Sequence, residues 1–224
     1  MFSNSDHDFM TENMKISVET LEEKLNEPFF SEFKDIAVDA ISKYIDAIKN
    51  YEASGVPRDL FSGRDNEAEE TIRKHYCEIS DGIDRIEIIE VMDALRHSFS
   101  CYAYNGLHQL YTRQENECWH PKICLTDVLE PNDIEALPQT ITLYRGCDAS
   151  EFECNSFGQA WTTSLEMAEN FAYRTYRSQP WFDVTNRAVL EVSYCKDDVL
   201  FSDQSIEYEV VVDVQKLTGV RRRT

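Results

Sequence analysis

Apolar residues recur at three- and four-residue spacing through the first half of the chain, and this period predicts helices. The blocks run from Met14 to Glu27, Ser31 to Ala53, Glu67 to Ile79 and Ile83 to Tyr111. In the second block Phe33, Ile36, Ala37, Ala40, Ile41, Tyr44, Ile45 and Ile48 make one continuous stripe. Pro28 separates the first two blocks, Ser54-Gly55-Val56-Pro57 ends the second, and Asp81-Gly82 ends the third. Asn105-Gly106 predicts an interruption inside the fourth. These stripes carry no catalytic pattern and read as core.

After about residue 115 the pattern changes. Pro121, Pro131-Asn132-Asp133 and Pro138 mark a loop-rich connection. Short β-branched and aromatic runs follow at Thr140 to Arg145, Arg187 to Tyr194 and Ile206 to Val214, and these predict strands. Between the first two lies one amphipathic helix from Ser164 to about Tyr176, with Leu165, Ala168, Phe171 and Ala172 inward. The expected organisation is α+β. Residues 1–115 form a helical region, 116–138 the connection and 139–224 a small strand-rich unit.

Composition adds a soluble, foldable chain: 224 residues, 42% hydrophobic and 12% aromatic. The charge of −20 is unevenly spread. Residues 1–138 hold 29 acids and 13 bases, and residues 139–224 hold 13 and 9. An acidic surface repels nucleic-acid backbones and anionic membranes and favours basic partners. The one basic run, Arg221-Arg222-Arg223, is terminal. No stretch reaches the roughly 18 apolar residues that span a bilayer. The N-terminal residues lack the basic and apolar regions of a secretory leader. With seven cysteines, an odd number, the expectation is reduced thiols in a cytoplasmic setting.

Three motifs carry candidate chemistry. Leu143-Tyr144-Arg145-Gly146 sets a planar, bidentate cation at a strand end, suited to a pyrophosphate, beside a glycine that admits close approach. Gly158 to Ser164 runs through three consecutive hydroxyls, Thr162, Thr163 and Ser164, into the helix. Thr163 with Glu166 makes a capping box, and either Thr163 or Ser164 can start the helix. Thr162, still on the strand, has no such duty and is the better active-site candidate. Glu207-Tyr208-Glu209 places two carboxylates two residues apart on a strand, and so on one face. Like charges that close cost stability; either the face is simply exposed or the pair works on a glycosidic bond.

In this order the three motifs resemble the arginine–serine–glutamate class of mono-ADP-ribosyltransferases, over residues 140–215. The resemblance implies a small split β-sandwich of that type with the helical region packed on it. It implies cleavage of the nicotinamide–ribose bond of NAD⁺, used as substrate, and transfer of ADP-ribose to a macromolecular acceptor, without a metal. Cleavage passes through an oxocarbenium-like state, which a nearby carboxylate stabilises. By resemblance Glu209 is that carboxylate, Thr162 orients it, and Arg145 holds a phosphate or ribose oxygen. The Gly146 backbone meets the nicotinamide, and Tyr144, Trp161, Thr163 and Phe171 line the site, with Tyr173, Trp181 and Phe182 also available. Glu207 acts on the acceptor, for which the family's glutamate points to protein arginine. One departure stands out: the family's first motif serine falls on Ala160, which cannot hold a carboxylate.

Alternative expectations are transfer to RNA or DNA, and a non-catalytic acidic module that binds a basic partner. A neutralising partner protein would also suit this charge. Cys118-x-His120 followed by Cys124 suggests zinc but lacks a fourth ligand at ordinary spacing, since Cys77 and Cys101 are distant in sequence. The expectation is no metal. No dinucleotide-binding glycine fingerprint or phosphate loop is present.

Overall fold

The computed structural model describes residues 1–56, 66–112, 119–179 and 182–223. The chain divides into two compact units, Met1–Cys124 and Leu125–Thr224. The boundary falls inside the loop-rich connection, whose two halves go to different units.

The first unit is helical: α1 Asn4–Asp8, α2 Val18–Leu25, α3 Lys34–Ala53, α4 Glu67–Ser80 and α5 Ile86–Thr112. A wider five-residue turn, Phe9–Asn13, follows α1. The stripe on α3 is buried at Ala37, Ala40, Ile41, Tyr44, Ile45 and Ile48, whereas Ile36 is exposed. Helices α3, α4 and α5 pack on one another. Asn66 starts α4 with a capping box: it accepts the Glu69 N–H at 2.9 Å, and Glu69 accepts the Asn66 N–H at 3.2 Å. The predicted break inside α5 occurs where expected. Gly106, at φ 64° and ψ −151°, takes a conformation that suits glycine alone. The first block begins later than its period suggests, because Ile16 leaves the helix to bridge Ile123.

The second unit contains β1 Thr140–Asp148, α6 Ala149–Glu153, β2 Ala160–Thr162, α7 Leu165–Tyr173, β3 Arg187–Cys195, β4 Val199–Asp203, β5 Glu209–Val212 and β6 Arg221–Arg222. The molecule is therefore α+β. All six strands are antiparallel in one sheet of order β4-β5-β2-β1-β3-β6. The division into two sheets implied by the resemblance has no counterpart among the described strands, which are hydrogen-bonded into a single sheet.

One face of this sheet carries the core: Ile141, Leu143, Cys147, Trp161, Leu190, Val192, Val210 and Val212 are all buried. On the other, Ala168 and Ala172 of α7 pack against Val189, with Tyr144, Leu165 and Tyr173 beside them. Arg187 is itself buried and donates to the Ala172 and Phe171 carbonyl oxygens at 3.2 and 3.4 Å. It thereby caps two carbonyls in the last turn of α7, while Arg177 Nε donates to the final one, that of Tyr173, at 2.7 Å. Among the described residues no helix is long and apolar enough to cross a membrane.

Candidate active site

The sheet register brings the second and third motifs together. Tyr144 pairs with Thr162, and Thr162 with Glu209. Directly opposed residues of antiparallel neighbours share a face. Tyr144, Thr162 and Glu209 therefore stand in one row, which continues to Asp203 on one side and Glu191 on the other. The carboxylates opposed in this row are Asp203 and Glu209.

Glu207 is not part of that row, contrary to strand alternation. The strand begins only at Glu209, and Tyr208 sits at φ 53°, in the left-handed region. Glu207 lies in the preceding turn and is exposed, while Glu209 is half-buried.

The hydroxyl motif holds this turn by several bonds. The Thr162 hydroxyl donates to the Glu207 carbonyl oxygen at 2.8 Å and accepts the Ser164 N–H at 3.0 Å. It thus has a local backbone duty that the sequence does not suggest. The Thr163 N–H donates to the Tyr208 carbonyl at 3.0 Å, and its hydroxyl donates to Gln204 Oε1 at 2.8 Å. Gln204 in turn donates to the Glu209 carbonyl at 3.0 Å. Ser164 caps α7, accepting the Met167 N–H at 3.3 Å, and this leaves Thr163 free to clasp the turn. Gln204 belongs to no motif, and only the folded turn reveals its part.

Arg145 is placed elsewhere. One residue on from Tyr144, it alternates to the opposite face, opposite Leu190 of the core. Its Nε and Nη2 donate to the two Glu151 carboxylate oxygens, both at 2.8 Å, and Nη1 donates to the Ala160 carbonyl at 2.6 Å. Glu151 also accepts the Gly158 N–H at 3.1 Å. This bidentate pair ties the β1–β2 connection to the sheet. A Cβ at Gly158 would meet the end of the Arg145 side chain, so a larger residue there pushes the guanidinium out of this clasp. Nothing in the sequence singles out Glu151, because the pairing depends on the loop doubling back.

Gly146 has a packing reason as well. A Cβ there would lie 2.0 Å from the Ala168 carbonyl oxygen and 2.5 Å from the Ala172 nitrogen. The glycine lets α7 lie directly on β1.

Of the aromatic candidates, Trp161 is buried on the core face and donates its indole N–H to the Gly158 carbonyl at 3.0 Å. Phe171 is half-buried and lies 6.3 Å, centroid to centroid, from Tyr176. Tyr144 is half-buried with the Arg223 guanidinium 5.6 Å from its ring centroid. Phe182 lies under Arg187, and Trp181 is outside the described residues.

The row thus offers carboxylates beside a fixed hydroxyl, an arrangement able to stabilise a developing cation. Comparison with known protein families, curated proteins and solved structures finds no match to this chain.

Proposed function

We propose that the second unit is a catalytic core of the ADP-ribosyltransferase type, which cleaves the nicotinamide–ribose bond of NAD⁺ and passes ADP-ribose to a protein arginine. The observation that carries this reading is the coupling of its last two motifs. Thr162 is register-paired with Glu209, and Thr162 and Thr163 together hold the turn that bears Glu207. Glu209 is the carboxylate that stabilises the oxocarbenium-like state, and Glu207 addresses the acceptor. A macromolecular acceptor suits the turn's surface, since Ile206 is 78% and Tyr208 44% exposed beside Glu207. Arg145 serves in this reading chiefly as the clasp of the β1–β2 connection, because a phosphate would have to displace a carboxylate already bound at both oxygens.

The same clasp favours a second reading, a non-catalytic acidic module that binds a basic partner. In it Arg145 faces away from Glu209, and Ala160 supplies no hydroxyl. Incubating the purified protein with labelled NAD⁺ and separate pools of protein and RNA distinguishes the two. Label on protein, lost in Glu209→Gln with the fold intact, supports the transferase. In Glu207→Ala, transfer is expected to vanish while NAD⁺ hydrolysis persists. Full activity in Glu209→Gln, or no NAD⁺ turnover by the wild-type protein, overturns the assignment. Label on RNA alone would move the acceptor to nucleic acid.

A further inference from the structure

At the end of the row away from Glu209 lies a basic pair that the proposed chemistry does not use. Arg221 is register-paired with Glu191, and the Arg223 N–H donates to the Val189 carbonyl at 2.9 Å. Two residues apart along an extended ladder, both arginines share the face of Glu191, Tyr144, Thr162 and Glu209. Arg222, between them, is paired with Leu190 and alternates to the other face.

The two guanidiniums converge on one carboxylate. Arg221 Nη2 donates to Glu191 Oε1 at 3.0 Å, and Arg223 Nη1 donates to Glu191 Oε2. Arg223 is steadied further by the Tyr144 ring, whose centroid lies 5.6 Å from its Cζ. One carboxylate against two cations leaves a local excess of positive charge, in a chain whose net charge is −20. A guanidinium carries several N–H donors, and each arginine spends one of its own on Glu191. The remaining edges face water, since the side chains of Arg221 and Arg223 are 76% and 43% exposed. An anion arriving here displaces no carboxylate, unlike one approaching Arg145.

The row is therefore polar along its length. Asp203 and Glu209 stand opposed at one end, and the arginine excess stands at the other. NAD⁺ has the matching polarity, with a cationic nicotinamide and an anionic pyrophosphate. Tyr144, under Arg223, lies two strands from Glu209, about 10 Å at ordinary strand spacing. A carboxylate at the nicotinamide ribose and a cation at the pyrophosphate are separated on that scale.

We propose that Arg221 and Arg223 form the subsite for the pyrophosphate of NAD⁺, with Tyr144 as its floor. The assignment rests on the reading of Glu209 as the carboxylate at the nicotinamide ribose. Planar guanidinium forks suit phosphate oxygens. The pair supplies the phosphate contact that the resemblance gives to Arg145, which faces the other side of the sheet.

The test uses the full chain and two readouts. Calorimetry measures binding of ADP-ribose, which keeps the pyrophosphate and lacks the nicotinamide; kinetics give KM and kcat for NAD⁺. Arg221→Gln and Arg223→Gln should each weaken ADP-ribose binding about tenfold, the effect of losing one hydrogen bond to a charged group. The loss in NAD⁺ turnover should appear in KM rather than kcat, because a phosphate contact is alike in ground and transition states. Arg222→Gln removes the same charge from the opposite face and should leave both readouts as in wild type. Equal losses in Arg222→Gln and Arg223→Gln, binding unmoved in both Arg221→Gln and Arg223→Gln, or no ADP-ribose binding by wild type overturns the subsite. With NAD⁺ turnover intact, those results leave the transferase reading standing. Wild-type protein that binds ADP-ribose through these arginines but turns over no NAD⁺ supports the subsite and overturns the chemistry alone.

Discussion

Thr162 is buried, and its one hydroxyl serves two backbone groups, the Glu207 carbonyl and the Ser164 N–H. Thr162→Val keeps the branched shape and strands both groups. An unsatisfied buried polar group costs about 1–3 kcal/mol, so a loss in that range should appear as a lower urea midpoint. ADP-ribose transfer should fall further than stability alone accounts for, because the turn bearing Glu207 loses its anchor. An unchanged midpoint would show that the hydroxyl carries nothing. The identity of this residue was legible in the sequence, but its duty was not. The run from Ile206 to Val212 reads as unbroken alternation, and a tyrosine gives no sign that it will adopt a positive φ. That conformation goes with the bonds that Thr162, Thr163 and Gln204 make to the turn in the folded chain. Likewise Arg145 was legible as a bidentate cation, whereas its partner Glu151 belongs to a loop whose return no local pattern encodes.

At the scale of elements, the periodic segments were readable, including four-residue β5 inside the run from Ile206 to Val214, whereas β4 and β6 were not. α3 and α4 follow from their stripes, and α5 from its stripe together with the Asn105-Gly106 break. β1 and β3 follow from their β-branched runs. β4 is five residues and β6 two, too few to establish a period, and β6 consists of arginines that read as a solvated tail. Instead Arg221 reaches Glu191 at 3.0 Å, and Arg223 pairs with the same carboxylate. The docking of α7 on β1 turns on a single glycine. Gly146→Ala drives a methyl group into the backbone of α7, which cannot yield as a flexible side chain would. Overpacking typically costs about 1–3 kcal/mol, and here the upper end is expected as a drop in the denaturation midpoint. A variant as stable as wild type would show that α7 shifts freely, leaving the glycine available to a ligand.

For the molecule as a whole, the acidic balance was plain from composition, but the groups that govern its pH response depend on burial. Burial pushes the Cys147 thiol up to about 12, with Glu151 adding to the shift and Arg145 opposing it. Burial likewise raises the Tyr44 and Tyr194 hydroxyls above their usual range. Each group holds its proton more tightly folded than unfolded. Below about pH 9 both states keep the thiol proton, and its contribution to stability is fully present. As pH rises further the unfolded chain sheds protons that the folded chain retains, so stability falls. The tyrosines act in the same direction, beginning about a unit higher. Urea midpoints should therefore be flat from pH 7 to about pH 8.5 and decline from about pH 9 upward. Cys147→Ala lowers stability at every pH by removing a buried side chain, but it also takes away one titrating group. Its midpoint should decline less steeply than that of wild type between about pH 9 and pH 10. Equal slopes for the two proteins would show that the thiol titrates alike in both states, and that Cys147 is far more accessible to water than its place in the core implies.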